Sequence, residues 1–355
     1  MTAPFYSLRV AVIARETDDC VSVRFDVPAA LKDTFAFRPG QYLTLRTLRN
    51  GAELRRAYSI CAGLDDGELR VAIKHGDPGG FSEWANTTLA ADDLLDVMPP
   101  EGRFGLQPDP AAGRTLLMLA AGSGITPILS IVKSVLAREP ASRIVLLYGS
   151  RSTAGIIFRT ALEDLKDRFL SRLTVIHLLS REAQDIGVLN GHVDAASLAT
   201  LLPGLLRPAE IDAAFLCGPA AMLETLPIAL QAMGVPADRI HTERFTPASA
   251  PRPAAIVPPN APAFATATII HEGKTREIPI AAGEAVLDAG MRAGLDLPWS
   301  CRGGMCSTCR ARLVEGSVVM AQNFSLEPWE TAAGFVLTCQ AQPKSRHLVV
   351  DYDAV

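Results

Sequence analysis

The sequence predicts a multidomain chain: an antiparallel β-barrel over residues 1–107, an α/β parallel-sheet domain over 108–245, and a small α+β domain over 263–355. Three observations carry this. Strand-like runs follow one another closely up to residue 107 with no long helical stretch between them. From residue 113, short apolar runs alternate with helical ones. A proline-rich segment, 246–262, separates both from the remainder. At 355 residues the chain is also too long for one ordinary core.

In the first domain "LRVAVIARE", "VSVRFDVP", "YLTLRTL", "RRAYSIC" and "LRVAIKH" alternate or run apolar for strand lengths between turn residues. In the second, "TLLMLAA", "RIVLLYG", "LTVIHLLS" and "AAFLCGP" are short buried strands. They are separated by the helical stretches "PILSIVKSVLARE", "IFRTALEDLKDRF" and "AMLETLPIALQAMG", and "RIHTERF" reads as the last strand. That alternation implies a parallel sheet covered on both faces. The segment 246–262 carries six prolines in 17 residues. It reads as a linker stiffened toward polyproline II, with a reach on the order of 50 Å at ~3.1 Å per residue. Beyond it, "ATATIIHEG" and "KTREIPI" form a hairpin, "EAVLDAGMRAG" a helix, and a cysteine loop follows.

Composition excludes several classes. A net charge of −4 gives no electrostatic footprint for nucleic acid. The longest apolar run, "TLLMLAAGSGITPILSIV", is broken by Gly122, Gly124 and Pro127, so it reads as strand, loop and helix and not as a membrane span. The N-terminus has acids where a signal peptide needs an apolar core. Seven unevenly spaced cysteines do not form a disulfide framework, so the reading is a cytoplasmic protein with reduced thiols.

Four of the seven follow the spacing Cys301-x4-Cys306-x2-Cys309, then 29 residues to Cys339. This is the ligand spacing of plant-type [2Fe–2S] clusters. Gly303, Gly304, Ser307 and Thr308 are small, so the backbone can wrap closely and aim N–H groups at sulfur. A structural zinc site is the alternative, but zinc ribbons favour two C-x2-C knuckles and one is present. Cys20 and Cys61 read as buried small hydrophobes.

Two further signals lie upstream. "RRAYSIC" contains Arg56-Ala57-Tyr58-Ser59, and "LAAGSGITPILS" follows a strand and opens a helix, where Gly122 and Gly124 allow close backbone approach to a pyrophosphate. The R-x-Y-S run, the G-x-G-x-T-P loop and "CGP" resemble, in order, the ferredoxin–NADP reductase superfamily. The C-terminal cysteine unit resembles its plant-type ferredoxin extension, a β-grasp fold. The resemblance spans nearly the whole chain. Within it, "LDLPWSCRGGMCSTCRARLVEGSV" and "VVDYD" are most similar to the reductase subunits of bacterial phenylacetyl-CoA epoxidases, with the ketosteroid hydroxylase reductases as close relatives.

The resemblance implies FAD, NADPH (with NADH possible) and a [2Fe–2S] cluster, and site residues for each. Arg56 would pair with the flavin pyrophosphate, Tyr58 would lie against the isoalloxazine, and Ser59 would hydrogen-bond near N5. Lys74, with Gly79, Gly80 and Ser82 just before a helix, would serve the flavin phosphate. Gly122, Gly124, Thr126 and Pro127 would hold the nicotinamide dinucleotide, and Cys217-Gly218 would position its ring, Cys217 as a contact and not a nucleophile. Arg151, Ser180 and Arg181 follow strand ends and would bind a 2′-phosphate. Glu243 and Phe245 in "HTERF" are read first as the packed end of the last strand, with a place near the flavin as the alternative.

The implied function is an oxygenase reductase component that passes electrons from NADPH through FAD and the cluster to a separate oxygenase accepting single electrons. Phenylacetyl-CoA epoxidase is the leading partner. A ketosteroid or Rieske oxygenase is the alternative, the phthalate-type reductases using FMN. A redox-sensing flavoprotein is a third reading.

Overall fold

The computed structural model describes residues 5–49, 51–76, 80–245, 258 and 262–354. Gly79, and all of the 246–262 segment except Pro258 and Pro262, lie outside the described residues. The chain forms two compact units. One takes in residues 6–54 and 58–246, the other residues 1–5, 55–57 and 247–355.

The first unit opens with β1 (Tyr6–Thr17), β2 (Cys20–Asp26), β3 (Tyr42–Arg49), β4 (Ala52–Ser59) and β5 (Leu69–Lys74), then α1 (Phe81–Thr87) and β6 (Leu94–Val97). The sheet order is β4-β3-β6-β1-β2-β5. Its two edges meet through an antiparallel bridge between Ile60 and Val71, which closes the sheet as the barrel reading expects. Alternation along the strands puts Leu8, Val10, Val21, Val23, Leu43 and Leu45 inside.

The chain continues through β7 (Thr115–Ala121), α2 (Ile125–Arg138), β8 (Arg143–Ser150), α3 (Arg159–Arg168), β9 (Leu173–Leu179), α4 (Ala195–Leu201), β10 (Ala213–Cys217), α5 (Ala220–Ala232) and β11 (Ile240–Glu243). These strands make a parallel sheet ordered β11-β10-β7-β8-β9. Residues of β7 divide between its faces. Leu116, Met118 and Ala120 enter one core, and Leu117 and Leu119 the other. Burial on both faces is why this strand reads as a continuous apolar run. Each such Leu contributes roughly 1.5–3 kcal/mol by leaving water. Cys20, Cys61 and Ala72 of the barrel region share the first of these cores, which joins the two sheets into one unit. Burial pushes the Cys20 thiol up to about 12 and the Cys61 thiol higher still, as expected of inert core cysteines.

The second unit contains β12 (Ala263–His271), β13 (Lys274–Ala281), α6 (Val286–Arg292), β14 (Arg310–Glu315), β15 (Val318–Met320), α7 (Pro328–Ala332), β16 (Phe335–Leu337), β17 (Ala341–Pro343) and β18 (His347–Asp351). Its main sheet runs β13-β12-β18-β14-β16, with β12 and β18 parallel and the other pairs antiparallel. Val286, Leu287 and Ala289 of α6 pack on that sheet, the α+β arrangement of a β-grasp. A buried ion pair between Arg310 and Glu330, 2.8 Å apart, ties α7 to the residue after Cys309. Among the described residues no helix is long and apolar enough to cross a membrane.

Candidate functional site

The parallel sheet has one topological switch point. The chain leaves β7 toward β8 and β9, then returns to place β10 on the other side of β7. Ligands in open α/β sheets sit in the crevice at such a point, beyond the C-terminal strand ends. The glycine loop follows β7 here, and Cys217-Gly218 ends β10. Gly122 is left-handed at φ +56, and its carbonyl accepts from the Tyr148 hydroxyl at 3.1 Å. Gly124 admits no side chain, because a Cβ would stand 2.0 Å from the Cys217 carbonyl oxygen. The two strand ends therefore meet backbone against backbone. Thr126 donates its hydroxyl to the Ser123 carbonyl at 2.9 Å, inside the loop, and Pro127 lies in the first turn of α2.

The barrel presents Ser59 and Lys74 at the same place. Ser59, 3% exposed at the end of β4, donates to a carboxylate oxygen of Glu243 at 3.4 Å. Glu243 is the register partner of Cys217 across β10 and β11. Lys74, at the end of β5, brings its amine to 4.0 Å from where a Cβ would stand on Gly122 and pairs with Asp19 at 3.4 Å. Tyr58 packs on Phe81 with ring centroids 5.6 Å apart. Ser82 accepts from the Gly76 N–H at 3.1 Å, so it anchors the chain after β5, and Gly80 precedes α1. Arg56 is exposed, with one guanidinium N–H on the Arg55 carbonyl, and Ala57 is half-buried.

Glu243 ends the last strand and is also tied into the crevice. Its carboxyl is joined to Ser59 and stands beside Cys217. Burial pushes it up to about 8, against the pull of the Ser59 hydroxyl. Burial, and then the Glu243 charge, push the Cys217 thiol well above its ordinary value, which keeps it neutral. Phe245 is 37% exposed. The raised Glu243 value has a consequence for stability. The native state holds the proton where the unfolded chain releases it, so stability is full below about 4.5 and declines until about 8. Relative to Glu243→Gln, the wild type is expected to lose at most about 1.4 kcal/mol per pH unit across that window. Thermal unfolding of both proteins at several pH values checks this, and a pH-independent difference rejects it.

Arg151 and Arg181 follow the adjacent strands β8 and β9, and the Arg181 N–H donates to the Arg151 carbonyl at 2.8 Å. Ser180 hydrogen-bonds Ser150 beside them. Both guanidiniums are exposed and have no ion-pair partner among the described residues.

In the second unit, three of the four cysteines are buried and Cys301 is half-buried. No single point among the described residues gathers three or more side chains able to hold one ion. The thiols instead contact in two pairs, Cys301 with Cys306 and Cys309 with Cys339. Cys306 first, then the N–H groups of Gly303 and Met305, pull Cys301 below its ordinary value against the effect of burial. Those two N–H groups stand 3.3 and 3.4 Å from its sulfur. Gly304, left-handed at φ +76, admits no Cβ because the Gln322 carbonyl oxygen would lie 2.9 Å away. Two thiol pairs wrapped by N–H donors would suit the four-sulfur ligand set of a [2Fe–2S] group.

Three family matches run along the chain in order. They are the oxidoreductase FAD-binding domain over residues 7–105, the oxidoreductase NAD-binding domain over 118–226, and the 2Fe-2S iron-sulfur cluster binding domain over 269–344. The chain is 43% identical over 352 residues to a subunit of the 1,2-phenylacetyl-CoA epoxidase of Escherichia coli (strain K12), covering 99% of this chain and 98% of that one. The chain belongs to the three-domain flavin and iron–sulfur reductases. This reductase is also 33% identical to the ferredoxin reductase component of 3-ketosteroid-9-alpha-monooxygenase from Rhodococcus rhodochrous, over 97% of this chain and 96% of the other. Its fold matches phthalate dioxygenase reductase with a TM-score of 0.58, 23% identity and 98% of both chains covered.

The reductase is thus an oxidoreductase with FAD-binding, NAD-binding and [2Fe–2S] domains. Its own residues fit these groups. The Gly122–Gly124 cradle would be filled by any Cβ at Gly124, and the paired thiols supply a four-sulfur donor set.

Proposed function

We propose that the reductase draws a hydride from NADPH at the switch-point crevice and delivers single electrons through the cysteine loop to a separate oxygenase component. The observation that carries this is the meeting of Ser59, Glu243 and Cys217 at the ends of β4, β11 and β10. A bound flavin supplies the change from two-electron to one-electron chemistry, and the [2Fe–2S] group supplies one-electron carriage.

The chain's residues do the rest. Gly122, Gly124, Thr126 and Pro127 hold the dinucleotide backbone at the start of α2. Cys217 and Gly218 limit how far the nicotinamide can enter, since their backbone already touches Gly124. Ser59 offers a hydroxyl where hydride arrives, with Glu243 behind it as a carboxyl kept neutral near pH 7. Arg56 and Lys74 supply positive charge to the flavin phosphates, with backbone at Gly80 and the Ser82 hydroxyl beside them, and Ala57 leaves room along β4. Cys301, Cys306, Cys309 and Cys339 ligate the two irons. NADPH supply and reduced thiols suit a cytoplasmic site of action.

The proposed partner is the oxygenase component of a phenylacetyl-CoA epoxidase, on the strength of the 43% identity to a component of that enzyme. Purified protein is expected to carry one flavin and two irons per chain, with flavin absorption bands over a broad iron–sulfur shoulder. A colourless protein holding zinc would sink the reading. To test the partner, NADPH oxidation is coupled to product formation with phenylacetyl-CoA epoxidase oxygenase subunits and, separately, with a ketosteroid hydroxylase. Coupled turnover with the first is expected. Turnover with the second alone reassigns the partner, and negligible NADPH–dye reduction with either favours a sensor.

A further inference from the structure

Gln340 follows the last cysteine and is 3% exposed, an uncommon burial for a primary amide. Its side-chain nitrogen lies 2.8 Å from the Arg302 carbonyl oxygen and 3.6 Å from the Cys339 sulfur. A carbonyl can only accept, so the amide must turn its NH2 toward Arg302, and the second N–H then faces the sulfur. The backbone makes room for this. Gly304 carries no side chain, and a Cβ there would come within 3.3 Å of Cγ of Gln340. The main chain of Gln340 is fixed on both sides, its N–H on the Leu337 carbonyl and its carbonyl receiving the Ala321 N–H. Arg302, whose carbonyl takes the other bond, is itself left-handed at φ +52 between Cys301 and Gly303. One buried amide therefore joins the last cysteine to the loop carrying the first three.

We propose that Gln340 raises the reduction potential of the iron–sulfur group by donating to the Cys339 thiolate, while its second N–H fixes the cysteine loop through Arg302. The proposal rests on the reading that the four cysteines ligate a [2Fe–2S] cluster. Reduction brings in one electron from the flavin, makes and breaks no bond to the protein, and adds one negative charge shared with the ligating sulfurs. An N–H aimed at sulfur stabilises that added charge more than it stabilises the oxidised state, so it favours the reduced form. Gln340 is a positioning residue: it acts through Cys339 and touches no substrate.

The test is a potential measured by dye-mediated titration of full-length protein, followed by the low-temperature EPR signal of the reduced cluster. Gln340→Leu keeps the bulk and removes the donor. Gln340→Glu keeps the shape and places acceptor oxygens beside the sulfur. Gln342→Leu is the control, since Gln342 bonds the Gly283 carbonyl at 3.0 Å and no cysteine. Gln340→Leu is expected to weaken one-electron reduction by about tenfold, ~59 mV toward negative potential, and Gln340→Glu by more. Gln342→Leu is expected to leave the potential unchanged. A wild-type potential in either Gln340 variant at two irons per chain overturns the inference. So does loss of iron from both variants with flavin retained, which would make Gln340 a strut only. Wild-type protein without iron is a different failure, that of the cluster reading itself.

Discussion

Cys309→Ala is expected to remove iron from the chain, leave the flavin bound, keep NADPH–ferricyanide activity near wild type, and reduce oxygenase turnover to near zero. The separation follows from where the residues lie. Cys309 is 3% exposed, contacts Cys339, and belongs to the core of the second unit with Leu297, Ala311 and Leu337. The crevice of Ser59, Gly124, Cys217 and Glu243 belongs to the first unit, which has its own cores. If the four cysteines hold the cluster, losing the Cys309 thiolate takes away one of its protein ligands. A ligand set of four becomes incomplete, whereas the flavin residues lose nothing. Ferricyanide can take electrons directly from the flavin, so dye reduction reports the first unit alone. The measurements are iron and flavin content per chain, dye reduction, and product formation with the partner. Full oxygenase turnover in an iron-free variant would show that electrons leave by another route. The cysteine loop would then be a structural metal site.

The parts that were legible in the sequence are those written locally. Period-2 alternation marked the barrel strands, continuous apolar runs marked β7, β8 and β10, and nine residues hold three of the four proposed ligands. What escaped depends on pairings far apart in the chain. Ser59 and Glu243 are 184 residues apart, and only the β10–β11 register brings the carboxyl beside Cys217. "HTERF" carries no signal of that by itself. The Ile60–Val71 bridge that closes the barrel is likewise a product of the folded sheet. The Thr126 hydroxyl donates to the Ser123 carbonyl, a local bond within the loop that a motif does not encode. Gln340 was hidden for the opposite reason. In "LTCQA" it looks like one more polar residue near a strand, and its burial emerges only once the cysteine loop is folded against it.

Discrimination between dinucleotides should rest on Arg151 and Arg181. The C-terminal ends of β8 and β9 are adjacent, so the two arginines flank one position on the surface of the parallel sheet. A 2′-phosphate placed there meets two guanidiniums with no ion-pair partners among the described residues. The acid that could instead accept from a ribose 2′-hydroxyl, Glu182, is already engaged. The Thr153 N–H holds it at 2.8 Å and the Thr153 hydroxyl at 2.5 Å, and the hydroxyl, then the N–H, pull its carboxyl below the ordinary range. This placement is the basis of the proposed preference for NADPH. Charge-assisted hydrogen bonds contribute about 1.5–3 kcal/mol when shielded, and the exposure of these arginines reduces that by solvent screening. Loss of one such screened contact should cost roughly two- to fivefold, and loss of both about tenfold. The double variant Arg151→Ala/Arg181→Ala is thus expected to raise KM for NADPH about tenfold. KM for NADH and kcat for dye reduction at saturation should stay near wild type, because β8 and β9 lie on the other side of β7 from β10 and β11, which carry Cys217 and Glu243. The wild-type KM for NADPH should also rise with ionic strength more steeply than that for NADH, and the double variant should lose this difference. Equal losses with both dinucleotides, or a wild type that already prefers NADH, would reject the assignment.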